Sequence, residues 1–206
     1  GLRILMSPTM RLGEGWMRNL GRGGSFNRRL KPINRLLFAI LATIILFIIL
    51  GIGSSMPLSG EEVRQFMEQF EDLTKDLTAL KIFMNNFMIA SLSFIPFIGV
   101  VIMGFVIFQT GKFLGYISTQ SGMHPALLIL FSVMTVYGFM EFLGYGVAVS
   151  EGIILSYSII KKNFRSEIRW LLISMGVSAA LLLAAAALES FLINVFKELI
   201  PSSAGI

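Results

Sequence analysis

The chain has 206 residues, 55% of them hydrophobic and 14% charged, with a mean hydropathy of +0.78 and a formal net charge of +5. That profile excludes an ordinary soluble domain and fits an integral membrane protein of one bundle, with little chain left for a separate catalytic domain. The absence of cysteine excludes disulfides, thiolate metal sites and cysteine nucleophiles, the single histidine argues against a protein-built zinc site, and no interleaving of basic and aromatic residues points to nucleic acid.

Residues 1–35 are polar, glycine-rich and basic, with Arg11, Arg18, Arg22, Arg28, Arg29, Lys31 and Arg35 interleaved with Met10, Leu12, Trp16, Met17 and Leu20. Twelve of the seventeen Lys and Arg residues lie either in Arg3 to Arg35 or in Lys161 to Arg169, the layout that places basic segments on the cytoplasmic side. The segment is therefore expected to be cytoplasmic, with two roles open to it: charge that only sets topology, or adsorption to an anionic leaflet. It lacks the apolar core and small-residue cleavage pattern of a secretory signal and is expected to stay in the mature chain.

An unbroken Leu- and Ile-rich stretch from Leu36 predicts a first span over 36–55, closed by Gly51, Gly53, Ser54, Ser55 and Pro57. Ser59-Gly60-Glu61-Glu62 follows as a capping box and predicts an extracytoplasmic helix over 59–80. Its apolar residues Val63, Phe66, Phe70, Leu73, Leu77 and Leu80 recur at spacings of three, four, three, four and three, a heptad seam, while the other faces hold Glu61, Glu62, Glu68, Glu71, Asp72 and Asp76. A copy of itself, the rim of the bundle or the lipid surface must cover that seam. About two and a half heptads fall short of an independent coiled coil, which favours docking or membrane-assisted dimerisation, and the acidic face argues against anionic lipid.

Ile82 to Phe108 predicts a second span running outward to inward, kinked or closely packed at Pro96 and Gly99. Residues 109–124, with Gly111, Lys112, Gly115 and Gly122, are expected to form an inner loop; Gly111-x-x-x-Gly115 resembles a helix-packing motif, and His124 is a loop residue at the interface. From Pro125 to Ile160 the only charged residues are Glu141 and Glu151, and the run is too long for one span. It is expected to fold back near Tyr137 and Gly138, giving a short third segment over 125–137, tilted, broken or re-entrant, and a fourth over 139–160. A fifth covers 170–193. The predicted fold is an all-α polytopic membrane helix bundle of about five transmembrane segments, with a membrane domain over 36–200, a cytoplasmic N-terminus and an extracytoplasmic C-terminus.

Carboxylates inside such segments cost roughly 2.5–3.5 kcal/mol at the helix centre, so they face protein, water or a partner. Glu141, Gly144, Ala148 and Gly152 fall within about 20–60° of one another on a helix, a stripe of small residues headed by an acid. Glu151 lies about 80° off that stripe and roughly 15 Å deeper, on the flank of the same interface or facing an aqueous crevice. Glu189 sits near the level of Glu141, where the two could share a proton or meet Asn85, Asn86, Tyr137 and Tyr145. For these acids the alternatives are helix locking, transport or proton relay, and catalysis; no arrangement of nucleophile and base supports the last.

Asn85-Asn86 with Ala90, Gly99 and Gly104, Gly111-Lys112-Phe113-Leu114-Gly115, Tyr137-Gly138-Phe139-Met140-Glu141 and Glu189-Ser190-Phe191 together resemble the stage II sporulation protein M family of prokaryotic membrane proteins, across Phe83 to Phe191. The family pattern has Pro-His-Gly followed three residues later by Glu; Gly138 and Glu141 match, whereas Val136 and Tyr137 stand at the Pro and His positions, and no role is carried over to them. Glu151 falls where the family usually has small apolar residues. The resemblance implies a multi-pass protein without established enzymatic activity, the namesake being similar to an anchor or scaffold that acts with peptidoglycan-degrading partners during engulfment; many relatives come from bacteria and archaea that make no spores.

The expected function is a non-enzymatic scaffold or membrane-remodelling component of the cell membrane, self-associating with a dimer favoured, contacting the bilayer and other membrane or envelope proteins, without cofactor, metal or nucleic acid. The alternative is a small transporter or channel with Glu141, Glu151 and Glu189 along a polar path.

Overall fold

The computed structural model describes residues 31–74 and 78–199, which form α1 (Pro32–Ser54), α2 (Gly60–Thr74), α3 (Ala79–Ser93), α4 (Gly99–Ser121), α5 (Pro125–Met134), α6 (Val136–Ile160), a 3₁₀ turn (Phe164–Ser166) and α7 (Ile168–Leu199). The all-helical, polytopic expectation holds. The expectations for residues 1–30, for Leu77, and for the side chains of Phe70 and Leu73 lie outside the described residues.

Local chemistry starts and stops these helices. Pro32 opens α1 with a preset φ and no N–H to waste. The capping box opens α2 as its sequence requires: the Ser59 N–H donates to Glu62 Oε2 at 2.9 Å, and the Glu62 N–H donates to Ser59 Oγ at 3.3 Å. Thr78 caps α3 by accepting the Lys81 N–H at 3.2 Å, Thr135 caps α6 by accepting the Gly138 N–H at 3.3 Å, and Gly122 ends α4 in the left-handed region.

Close backbone approaches fix which way each helix runs. A Cβ on Gly111 would strike the Leu50 carbonyl, and one on Gly115 would strike that of Ser54, so α1 and α4 run parallel. Against α6, Arg35 pairs with Glu151 while Thr43 Oγ1 donates to the Phe142 carbonyl at 3.3 Å, so α1 and α6 are antiparallel. Asn86 reaches Glu141, a Cβ on Gly152 would strike the Ser93 carbonyl, and the Phe97 N–H donates to Ser156 Oγ at 2.7 Å, which makes α3 parallel to α6. Ser178 Oγ donates to the Gly144 carbonyl at 2.9 Å and Ser174 Oγ to Glu151, so α7 is antiparallel to α6. Thus α1, α4 and α7 run from an end marked by Arg35 to an end marked by Ser54, and α3 and α6 return.

This arrangement corrects the expected division of the chain. Residues 82–108 are not one span: the helix stops at Ser93 and the chain reverses through Phe94 to Ile98. Pro96 breaks the helix, Phe97 takes a left-handed φ of 66°, and Gly99 lets the returning helix lie against the Leu92 and Ser93 carbonyls. Residues 109–124 are not an inner loop either; most of them complete α4 at the Ser54 end, because Gly111 and Gly115 pack on α1. The run from Pro125 to Ile160 divides at Thr135, close to the expected Tyr137 and Gly138, but does not cross twice. Gly115 lies at the Ser54 end and Glu151 at the Arg35 end, so the chain between them makes one net pass, with α5 only about 15 Å long and a break at Thr135. Five helices, α1, α3, α4, α6 and α7, thus traverse the bundle in alternating directions.

Four helices are long and apolar enough to cross a membrane: Pro32–Ser54, Gly99–Ser121, Val136–Ile160 and, within α7, Ile168–Val195. α3 is shorter, about 22 Å at the helical rise, and is not among them. The interior mixes small residues with large aliphatic ones: Ala90, Ser93, Ala148, Ser178, Ala185 and Ala186 are fully buried beside Leu50, Met103, Leu155 and Leu182, while Ile33, Leu37, Leu41, Ile44, Ile48 and Ile52 of α1 face outward. In lipid no hydrophobic force drives helices together, so close packing of small side chains and interhelical hydrogen bonds decide which faces meet.

Of the three covers open to the acidic helix, the structure shows docking. Phe66 stacks on Phe113 of α4 with centroids 5.4 Å apart, Val63 is half-buried, and Glu62 pairs with Lys112. The helix itself is shorter than the expected 59–80: Thr78 starts a new one, so Leu80 belongs to α3 and is exposed. The Lys112 ammonium, with the Ser59 cap, holds the Glu62 carboxyl down from 4.5 to about 2. A carboxyl lowered in the docked state contributes fully above about pH 4.5 and loses that contribution as pH falls toward 2. A fluorophore pair across α2 and α4 should therefore keep its distance from pH 7 to 5 and separate between pH 4.5 and 2. In Glu62→Gln the separation should lose its dependence on pH in that window; an unchanged transition would assign it to another group.

Candidate functional site

Arg35 lies in the first turn of α1 yet is only 8% exposed. Its Nη1 donates to both Glu151 oxygens, at 2.9 and 2.8 Å, and its Nη2 pairs with Glu167 Oε2. Ser174 Oγ of α7 donates to Glu151 Oε2 at 3.1 Å, and the Trp170 ring lies 4.8 Å from the guanidinium carbon. One cation thus joins α6, the turn before α7 and α7 itself to α1. Planar, forked geometry suits Arg to this, since a point-like ammonium could not serve two carboxylates in the same way. Arg35 Nε is the buried side-chain polar atom without a hydrogen-bond partner among the described residues.

Glu151 is 1% exposed. It faces no aqueous crevice, which corrects one of the two placements expected for it: the guanidinium covers it. Neither Arg35 nor Glu167 was singled out in sequence, because both sit in basic clusters whose charge reads as topology. The signal was present in depth. Glu151 lies about 13 Å before the end of α6 at Ile160, within reach of the first turn of an antiparallel neighbour, and Glu167 is the lone acid among Lys161, Lys162, Arg165 and Arg169.

A second polar group lies nearer the Ser54 end. Asn86 Nδ2 donates to Glu141 Oε1 at 2.6 Å, Asn85 Nδ2 donates to Asn86 Oδ1 at 3.4 Å, and Glu189 is within electrostatic range of Glu141. Buried Tyr145 meets Phe142 edge to face at 6.1 Å. Glu141 and Glu189 are half-buried. The structure therefore associates Glu141, Glu189, Asn85 and Asn86, and keeps Glu151 apart from them with its own partners.

The small-residue stripe serves more than one neighbour. Gly144 lies against Ser178 and Leu182 of α7, Gly152 against Ser93 of α3, and Ala148 and Gly138 are buried between. Gly146, outside the stripe, admits Thr43 and Ala39 of α1. With glycines on several faces, α6 is the central helix. Among the described residues no three His, Cys, Asp or Glu side chains are grouped to hold a metal ion.

The chemistry of this arrangement is mutual saturation: charges and hydroxyls of different helices satisfy one another inside the bundle. A family model, stage II sporulation protein M (SpoIIM), matches residues 36–192, which include both polar groups apart from Arg35. No curated protein matches, and no solved structure does.

Proposed function

Since the chain belongs to the stage II sporulation protein M family, we propose that it works as a non-enzymatic scaffold or membrane-remodelling component of the cell membrane that self-associates. The observation that carries this reading is the sealing of Glu151 under Arg35, which turns the most buried charges among the described residues into a joint between helices. A carboxylate meant for ion passage needs access to water from at least one side.

The orientation follows from charge. Lys31, Arg35, Lys161, Lys162, Arg165 and Arg169 gather at one end and Glu61, Glu62 and Glu68 at the other, so the Arg35 end is assigned to the cytoplasm. The acidic helix α2 then stands outside, with Glu61 and Glu68 exposed for a second copy or an envelope protein.

Two measurements on the reconstituted chain test the reading. Proteoliposomes should show no pH-driven proton or solute flux with either the parent or Glu151→Gln; a flux that Glu151→Gln abolishes would make the protein a transporter. Oxidation of Glu61→Cys or Glu68→Cys variants, on the exposed face of α2, should give a covalent dimer, and absence of product at both positions would remove that face as the contact.

A further inference from the structure

We infer that the loop between α6 and α7 holds the headgroup of an anionic phospholipid, in a groove of about 610 Å³ lined by Ile159, Lys162, Asn163, Phe164 and Arg165. Charge argues for the class of ligand. Residues 161–169 carry Lys161, Lys162, Arg165 and Arg169 against one acid, Glu167, and the fold turns that acid inward, where it is 4% exposed and held by Arg35. The four cations all remain exposed. Capture of Glu167 by Arg35 thus removes the internal counter-ion that would otherwise neutralise the loop.

Among the described residues neither Lys162 nor Arg165 makes an ion pair, whereas Lys161 lies over the Tyr157 ring at 5.6 Å. The backbone holds the two groove cations in place. Lys162 has a left-handed φ of 55°, uncommon for a long side chain, and its N–H donates to the Ile159 carbonyl at 2.9 Å while that of Asn163 donates to Ser158 at 2.8 Å. The 3₁₀ turn that follows carries Arg165 onto the same rim.

Depth argues for a lipid. The groove sits where α6 ends at Ile160 and α7 begins at Ile168, the level of headgroups for two adjacent membrane helices. Exposed Ile159 and Phe164 beside the cations suit the glycerol and first acyl carbons below a phosphate. Basic pockets at this level between membrane helices are the setting in which anionic headgroups bind.

The test uses the full chain in a neutral detergent, titrated with short-chain phosphatidylglycerol, phosphatidylcholine and inorganic phosphate, with binding read by native mass spectrometry and by melting temperature. Phosphatidylglycerol should bind about tenfold or more tightly than phosphatidylcholine, and inorganic phosphate should not displace it. Lys162→Ala/Arg165→Ala should weaken phosphatidylglycerol about 30-fold, which is about 2 kcal/mol at about 1 kcal/mol per cation. Lys161→Ala/Arg169→Ala loses the same charge outside the groove lining and should change affinity less than about threefold. Lipid-free melting of both pairs should match the parent; should the groove pair melt lower, the preference of the parent for phosphatidylglycerol still decides. Equal binding of the two lipids, equal loss in both pairs, or displacement by inorganic phosphate would each overturn the assignment.

Discussion

Arg35→Met should destabilise the purified protein by about 3–5 kcal/mol, the cost of leaving a buried charge without its partner. The variant strands two carboxylates, since Glu151 and Glu167 are both buried and share the one guanidinium. The hydroxyls that remain, Ser174 on Glu151 and Ser166 on Glu167 at 3.4 Å, are single neutral donors and cannot replace it. Other interhelical bonds set the scale. Ser178→Ala or Thr43→Ala removes one hydroxyl contact, and such bonds between membrane helices average about 0.6 kcal/mol. Arg35→Lys should fall between, because a single ammonium nitrogen can replace Nη1 on Glu151 but leaves Glu167 without the second nitrogen, Nη2, that holds it. Replacing Arg35, Glu151 and Glu167 together by Met should recover most of the loss, since apolar replacement of a whole buried ion group is often neutral. Denaturant or thermal unfolding in one detergent gives all five values.

The second large effect is expected from the α1–α4 contact. Gly111→Leu or Gly115→Leu should cost about 3 kcal/mol, the upper part of the usual overpacking range, and the pair should separate the helices. What each new Cβ would meet is the carbonyl of Leu50 or Ser54, and a backbone carbonyl cannot rotate away as a side-chain terminus can. A substitution of opposite sign checks the geometry. Gly176 in α7 has open space around its would-be Cβ, so Gly176→Ala should stabilise by roughly 0.5–1 kcal/mol through helix propensity. Destabilisation at Gly176 equal to that at Gly111 would mean that glycine itself, not the close approach, is at issue.

What the sequence made legible was local or periodic. Ser59 and Glu62 announce a helix start because the two groups satisfy each other whatever surrounds them, and that cap is present. Gly111 and Gly115 carry the spacing of a packing motif, yet polarity puts them in a loop, and the approach of the Leu50 and Ser54 carbonyls is what shows the missing side chains at work. The direction of the chain was harder to see. Pro96 stops a helix but does not say whether the chain then kinks or reverses; the left-handed Phe97 and the tight approach at Gly99 decide that, and both depend on the Ser156 hydroxyl and Ser93 carbonyl supplied by tertiary packing. Placing a loop at residues 109–124 then followed from polarity, and a separate crossing before Gly138 from length.

The site was half legible for a related reason. Glu141, Glu189 and Asn86 stand out because polar groups in apolar runs are costly, and the structure groups them. Glu151 stands out equally, but its partner does not. Arg35 lies at the mouth of a span, where positive charge already has an explanation, and pairing across 116 residues leaves no trace in local pattern.

The central claim is that the most buried charges among the described residues form a joint, and a double-mutant cycle between Arg35 and Glu151, measured by unfolding with Arg35→Met, Glu151→Met and the double variant, tests it most directly. The joint predicts a coupling of about 1.5–3 kcal/mol, with the double variant far less destabilised than the sum of the singles. Additive losses, with coupling below about 0.5 kcal/mol, would contradict it.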